Sequence, residues 1–307
     1  MVILLTGATG TVGKALLPLL LERGDPVRVL VRDPRRLGRH RVDVQLTLGD
    51  LTAMADPHLQ RQALRGVHTV IHLAATIRDQ PRGPVEELNG LATARLLTAA
   101  ERLGAERFLF FSAMGASEIQ RTRYFRAKAL AERAVAASPL QTTVFAPSIV
   151  YDRDDPWVTV MRRLSLLPLI PISGAGQAAF QPLWAADAAR CVLAVLERGG
   201  PDRVELAGPQ TLTYEAIARI IAGASGRARP LVHVPLGLVR VFLVWVRRIV
   251  GNAAFATWEE AELMEVPMVS PRGDADVRAL GIDPHPMARV LAGSQPPPPA
   301  AVAAVVQ

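Results

Sequence analysis

Three glycines spaced three apart, Gly7, Gly10 and Gly13, separate the apolar run at 2–5 from a helical pattern that begins at Lys14. A chain carrying Gly7-Ala8-Thr9-Gly10-Thr11-Val12-Gly13 at such a junction has to turn sharply from strand into helix, with little side-chain bulk inside the turn. The backbone N–H groups of the turn and the positive end of the following helix are then open to an anion. At the first strand–helix junction of an alternating chain, that anion is expected to be the pyrophosphate of a dinucleotide. Gly7, Thr9, Gly10, Thr11, Val12 and Gly13 are the contacts this predicts.

The alternation continues through the first half. After the strand Val2–Thr6, β-rich runs fall at 27–31, 44–48, 69–73, 108–112 and 142–145, with amphipathic helical segments at 14–23, 57–64, 85–103 and 124–137. Strands that are apolar almost throughout, alternating with helices, predict an α/β fold with a doubly wound parallel sheet covered on both faces. Beyond Val150 the rhythm breaks into a loop, prolines and glycines, then a helix at 185–198, a strand at 203–206 and a helix at 213–222 capped by Thr211 or Thr213. We therefore expect a dinucleotide-binding domain over 1–150 to which the strand near 203–206 returns, and a smaller, mostly helical C-terminal subdomain over 151–292. A disordered tail is expected over 293–307, where four consecutive prolines from Pro296 precede small residues.

Composition narrows the function classes. Half of the 307 residues are apolar, enough for one large core or two modest ones. The lone Cys191 excludes an internal disulfide framework and a Cys-based zinc cluster, and the six histidines lack ligand spacing, so no metal is expected. The formal charge is +7, carried almost wholly by arginine, since Lys14 and Lys128 are the only lysines. Aromatic residues make up 5% and no nucleic-acid module is recognisable, so nucleic acid is not an expected partner. The start has no basic leader pattern, and no run of about 18 apolar residues suits a spanning helix, so the expected location is cytoplasmic. Leu236–Val250 comes nearest to such a run, interrupted by Arg240, Arg247 and Arg248. The favoured reading is a helix packed on the second subdomain or at a subunit interface. The alternative is contact with a protein complex or with the inner face of a membrane. Oligomeric state is left open.

The ends of the following strands sharpen the cofactor. An acidic residue after the second strand would bind ribose hydroxyls, whereas arginine favours a 2′-phosphate. Here Arg32 ends the strand, with Arg35 and Arg36 behind it, and forked guanidinium groups suit phosphate; Asp33 is the competing carboxylate. NADP(H) is favoured over NAD(H). Asp50 and Leu51 follow the third strand, where a carboxylate can accept from an adenine amino group or simply cap a turn. Ala74 and Ala75 close the fourth, where small residues let a cofactor lie flat.

Tyr124-Phe125-Arg126-Ala127-Lys128 places a phenol and an ammonium four residues apart, on one face of a helix. Three tyrosines and two lysines give about 0.02 chance matches to this spacing in the whole chain. A nearby cation favours the phenolate and is expected to lower the phenol's pKa toward working pH. Ser112, ending the fifth strand, can donate to a substrate carbonyl oxygen or orient Tyr124. His72, inside an apolar strand, is expected to be a satisfied core residue.

With these residues in view, the sequence resembles the extended or atypical short-chain dehydrogenases/reductases. The resemblance runs over about 1–220 and rests on Gly7, Gly10 and Gly13, Gly49-Asp50-Leu51, His72-Leu73-Ala74-Ala75, Asn89 and Thr93, Ser112-Ala113, and Tyr124 with Lys128. Pro147-Ser148-Ile149-Val150-Tyr151, Phe180-Gln181-Pro182 with Asp187, and Gly208-Pro209 with Leu212-Thr213-Tyr214 continue it. The nearest subgroup looks like that of the NADPH-binding accessory subunit of mitochondrial complex I, with NmrA-like proteins and nucleoside-diphosphate-sugar epimerases more distant. The resemblance implies a Rossmann domain, Tyr124 as proton donor or acceptor, and Lys128 as binder of the nicotinamide ribose. It further implies Ser112 as the carbonyl-orienting hydroxyl, Asn89 as a water-holding fourth member, and Pro147 and Ile149 against the cofactor. The chain departs from the usual family pattern at Ala146, at Tyr151-Asp152 and at Trp184-Ala185-Ala186, all toward the substrate end. Three functions follow: an oxidoreductase acting on a small carbonyl or alcohol substrate, a non-catalytic NADP(H)-binding accessory or assembly factor of a membrane complex, and a sugar-nucleotide epimerase.

Overall fold

A computed structural model describes residues 1–227, 229–250 and 257–293. Its centre is a parallel sheet of seven strands: β1 (Val2–Thr6), β2 (Val27–Val31), β3 (Gln45–Leu48), β4 (Val67–His72), β5 (Arg107–Phe111), β6 (Gln141–Pro147) and β11 (Arg203–Leu206). Their order is β11-β6-β5-β4-β1-β2-β3, reversing direction between β1 and β4. Every pairing in it is parallel, with Leu5 opposite Val29 and Ile71, and Val204 opposite Phe145. The edge place of β11 brings a strand from beyond position 200 back onto the first domain.

Helices cover both faces because both are apolar. On one side α1 (Thr11–Glu22) and α6 (Ala185–Arg198) pack Leu16, Leu20, Val192 and Val195 against Ile3, Leu5, Val29 and Leu109. On the other, α2 (Pro57–Leu64), α3 (Ala92–Arg102) and α4 (Arg123–Ala136) pack Leu64, Leu96 and Val135 on Leu4, Val70, Phe108 and Phe110. Asp56 caps α2 by accepting from His58 N, with Pro57 in the first turn where it sacrifices no helical hydrogen bond.

A third cluster forms the second lobe, around Phe125, Tyr151, Ile172, Phe180, Tyr214 and Ile217. Three short strand pairs build it: β7 (Val150–Tyr151) with β10 (Leu183–Trp184), β8 (Ile170–Ser173) with β13 (Leu231–Val234), and β9 (Ala179–Phe180) with β12 (Leu212–Thr213). Helices α5 (Pro156–Leu164), α7 (Tyr214–Ala224), α8 (Leu236–Val250), α9 (Trp258–Leu263) and α11 (Met287–Leu291) complete it, while α10 (Ala275–Ala279) packs Val277 into the first-domain core beside β11. Thr213, rather than Thr211, caps α7 by accepting from Ala216 N at 3.1 Å.

The structure refines two expectations. The helix expected over 85–103 opens with a π-helical turn at Glu87–Leu91 before α3, as the Thr93 hydroxyl donates to the Asn89 carbonyl at 2.6 Å. The packed-helix reading of Leu236–Val250 holds for Leu243, which is buried, but Leu238, Phe242, Trp245 and Ile249 face outward. Of the tail expected over 293–307, residues 294–307 lie outside the described residues.

Candidate functional site

The residues singled out after each strand converge because parallel strands all end on one edge of the sheet, and the order reversal opens a crevice there. The glycine turn follows β1, Arg32 follows β2, Asp50 lies beyond β3, Ala74 and Ala75 beyond β4, Ser112 follows β5, and Pro147 ends β6.

The turn explains its own glycines. Gly7 has φ +76°, and a Cβ there would sit 2.6 Å from the Ala74 nitrogen; a Cβ on Gly13 would sit 2.2 Å from the Gly7 carbonyl oxygen. The first contact sets Ala74 against the turn, and the second shows α1 packed on the loop that precedes it. Gly10 occupies the N-cap of α1 with no side-chain cap, so the first N–H groups of the helix are left for a ligand. Thr11 and Val12 form that first turn. These features fit a pyrophosphate: a cradle that side chains would fill and N–H donors at a helix start.

At the adenosine end, Arg32 and Arg36 are exposed and Arg32 lies 3.7 Å from the Asp50 carboxylate. Asp33 turns away: its Oδ1 accepts from Arg35 N at 3.0 Å and starts the 3₁₀ turn at Pro34–Val42. Asp50 accepts from Thr52 N and Oγ1 and pairs with Arg82 as well. Burial pushes the Asp50 carboxyl up, but the Thr52 and Arg82 hydrogen bonds outweigh it and hold it below the usual range. Arg82 was not among the sequence candidates, having no motif to mark it. Leu51 opens the 3₁₀ turn at Leu51–Ala53 that Asp50 caps.

At the reacting end, the Lys128 ammonium is buried and donates to the Phe111 carbonyl at 2.6 Å. It also lies 4.8 Å from the centre of the Phe110 ring and 5.9 Å from that of Tyr124. The next residue after Phe111 is Ser112, whose buried hydroxyl has no hydrogen-bond partner among the described residues. Tyr124, half-buried in the first turn of α4, lines a cleft with Ile77, Val85, Thr122 and Leu263. The expected lowering of the phenol's pKa is not what this arrangement produces. Burial pushes Tyr124 up to about 12, and burial lowers Lys128 to about 7 against a smaller opposing pull from Glu132. Desolvation acts on both groups and outweighs their mutual interaction.

Asn89 is buried in the π-helical turn with its amide engaged: Oδ1 accepts from Thr76 N at 3.0 Å, and Nδ2 donates to the carbonyls of Thr76 and Val85 at 2.7 and 3.0 Å. It holds the strand-following loop in place. Arg123 fastens the same loop, through Glu86 at 2.6 and 2.7 Å and Asp79 at 2.9 Å. Thr122 was missed. A threonine just before a helix reads as its cap, yet this buried hydroxyl makes no cap bond, is unpartnered among the described residues and belongs to the cleft wall.

His72 is satisfied within the core. Thr93 Oγ1, having donated to Asn89, accepts from His72 Nε2 at 2.9 Å, and His72 Nδ1 accepts from Thr6 Oγ1 at 2.7 Å. Burial, with Lys128 adding to it, lowers the imidazole to about 3, so it stays neutral. The Pro147 carbonyl accepts from Met114 N and the Ile149 carbonyl from Leu183 N, setting both at the sheet's ligand edge. Two positions of family departure meet where Trp184 Nε1 donates to Asp152 at 3.2 Å, and nearby the buried Asp187, a position of match, binds Arg190 and both the backbone and ring nitrogens of His285. Among the described residues, no group of three His, Cys, Asp or Glu is placed to hold a metal, and no helix is long and apolar enough to cross a membrane.

Comparison with known proteins agrees with this geometry. The chain is 30% identical over 227 residues to the mitochondrial NADH dehydrogenase [ubiquinone] 1 alpha subcomplex subunit 9 of Arabidopsis thaliana, covering 70% of this chain and 56% of that one. It is 30% identical over 146 residues to the photosystem II assembly factor Ycf39 of Cyanophora paradoxa, covering 47% of this chain and 44% of the relative. The chain thus spans about half the length of these relatives. A nucleoside-diphosphate-sugar epimerase structure from Staphylococcus aureus shares the fold, with a TM-score of 0.75 and 18% identity, covering 95% of this chain and all of the other. A family model described as NAD(P)H-binding matches residues 7–168, more than half of the chain. The protein belongs to the NAD(P)H-binding family.

Proposed function

We propose that the protein is an oxidoreductase that uses NADP(H) to reduce a carbonyl group, or to oxidise the corresponding alcohol. The observation that carries this reading is the Ser112 hydroxyl, buried and unpartnered at the end of β5 beside the carbonyl that Lys128 caps. A buried hydroxyl left without a partner costs roughly 1–3 kcal/mol, a cost removed when a substrate oxygen accepts its proton. The nicotinamide, when bound, supplies or takes the hydride. Ser112 orients the substrate oxygen, and Tyr124 gives that oxygen its proton in reduction and removes it in oxidation. A phenol raised to about 12 is protonated throughout the neutral range, which suits it to the donor role. Lys128 has spent one of its three donors on Phe111, leaving two for a ribose hydroxyl. Asn89 and Arg123 act through the loop they fasten and are positioning residues.

Preference for NADP(H) rests on Arg32 and Arg36, with Asp33 withdrawn into its own turn. Replacing Arg32 and Arg36 by serine is expected to weaken NADPH binding about tenfold per residue while leaving NADH within about twofold. Titration calorimetry with both cofactors reads this directly; tighter NADH binding by the unaltered protein overturns the preference.

A second reading, an NADP(H)-binding accessory or assembly factor without turnover, is favoured by the names of the relatives and by the outward apolar face of α8. One experiment separates the two: NADPH oxidation and NADP⁺ reduction against quinones, aldehydes, ketones, alcohols and nucleotide sugars. Substrate-dependent turnover supports the oxidoreductase. Tight NADPH binding with no turnover across the panel supports the accessory role, and nucleotide-sugar interconversion without net cofactor change the epimerase.

A further inference from the structure

Helix α8 presents its apolar side to solvent. Leu238, Val241, Phe242, Trp245 and Ile249 are 56–79% exposed, and their spacing of three and four residues lines them along one stripe. Leu243, on the opposite side, is buried. A helix built to pack only on its own domain has the reverse arrangement. At 15 residues it is about 22 Å long, too short to cross a bilayer but long enough to lie in its surface.

Charge indicates what covers the stripe. Between Glu215 and Glu259 the sequence contains no acidic residue, while Arg219, Arg227, Arg229, Arg240, Arg247 and Arg248 all fall there. Arg227, Arg229, Arg240 and Arg248 are exposed. A second copy docking through the same face would bring Arg248 at the edge of the stripe toward its symmetry mate with no carboxylate of α8 to meet it, the acidic residues resuming only at Glu259 on α9. An anionic surface meets the arginines without that conflict, and the combination of tryptophan, phenylalanine and leucine on one side with arginine beside it is that of an interfacial helix.

We propose that the outward face of α8 is a docking site for an anionic lipid bilayer, with the helix lying in the plane of the interface. Phe242 and Trp245 enter the headgroup boundary, and Arg248 at the edge of the stripe meets lipid phosphate. Helix α9 packs beside α8, the Arg240 guanidinium lying 5.5 Å from the centre of the Trp258 ring, and α9 contributes Leu263 to the wall of the cleft beside Tyr124. Docking therefore sets the bilayer next to the helix that borders the candidate substrate site.

The test uses the full chain and vesicles of phosphatidylcholine, with and without a quarter of phosphatidylglycerol, followed by co-sedimentation. The protein is expected to bind the phosphatidylglycerol vesicles, to bind pure phosphatidylcholine far more weakly, and to be released by high salt. Phe242→Ser with Trp245→Ser is expected to weaken binding about a hundredfold, and Arg248→Ala about fivefold. Because these side chains are exposed, NADPH affinity and the thermal unfolding midpoint should not change, which separates lost docking from lost folding. Absence of vesicle binding, or binding indifferent to the double substitution, overturns the proposal. A self-associated species that the double substitution dissolves, without vesicle binding, overturns it in favour of a second copy. None of these readouts depends on hydride transfer, so this proposal and the oxidoreductase reading fail separately.

Discussion

Tyr124→Phe is expected to reduce turnover by about 10²–10⁴-fold while NADPH binds within about twofold of the unaltered protein. The substitution removes one oxygen from a ring that packs edge-on against Phe125 at a centroid distance of 5.5 Å, so the packing of α4 survives it. What is lost is the hydroxyl proposed as proton donor, on a ring whose centre lies 5.9 Å from the Lys128 ammonium. The pH profile gives a second handle. For reduction, kcat/KM is expected to fall as pH rises through about 7, where buried Lys128 loses its proton in the free enzyme, while the phenol at about 12 remains protonated. Steady-state rates with the best substrate of the panel, together with calorimetric NADPH affinity, measure both. Retained turnover in the phenylalanine variant removes Tyr124 from the mechanism; lost NADPH binding would mean that the hydroxyl serves cofactor binding rather than proton transfer.

Gly13→Ala is expected to abolish measurable NADPH binding and to destabilise the fold by about 1–3 kcal/mol. A methyl group at this position has nowhere to go: its carbon would lie 2.2 Å from the Gly7 carbonyl oxygen and 2.6 Å from the Ala8 Cα, all backbone that cannot swing aside. Relief requires α1 to move away from the turn, carrying with it the N–H groups proposed to hold the pyrophosphate. Gly223→Ala is the matched control. It lies inside α7 with nothing within 4 Å of the added carbon, so it should be neutral or stabilising by about 0.5–1 kcal/mol. Urea unfolding of both variants, with NADPH titration, tests the contrast. A Gly13→Ala protein that binds NADPH normally would mean that the turn is looser than its contacts show.

Much of the architecture is legible in the sequence. Apolar β-rich runs alternating with amphipathic segments marked the six strands and four helices of the first domain to within a few residues, and the helix at 185–198 and the strand at 203–206 stand where the pattern put them. The helix expected over 85–103 is among them, and what helical periodicity did not register is the π turn inside it. Around that turn the Thr93 hydroxyl donates to the Asn89 carbonyl and the Asn89 amide donates to the Thr76 carbonyl. The second lobe was less legible. Its strands are two to four residues long, too short for a period, and its anchors join distant segments: Ser148 donates to the Met268 carbonyl and accepts from Gln181 N, and Asp187 holds His285.

The residues themselves determined what depends on neighbours along the chain: the glycine turn between strand and helix, the Tyr124–Lys128 pair on one helical face, and the arginines that follow β2. Only the tertiary structure decided the protonation tendencies of that pair, the partners of Asp33 and Asp50, and the direction of the apolar side of α8. The division has one physical cause. Turn geometry and helical spacing are set by covalent connection over a few residues, whereas desolvation, ion pairing and exposure are set by whichever atoms folding brings from elsewhere in the chain.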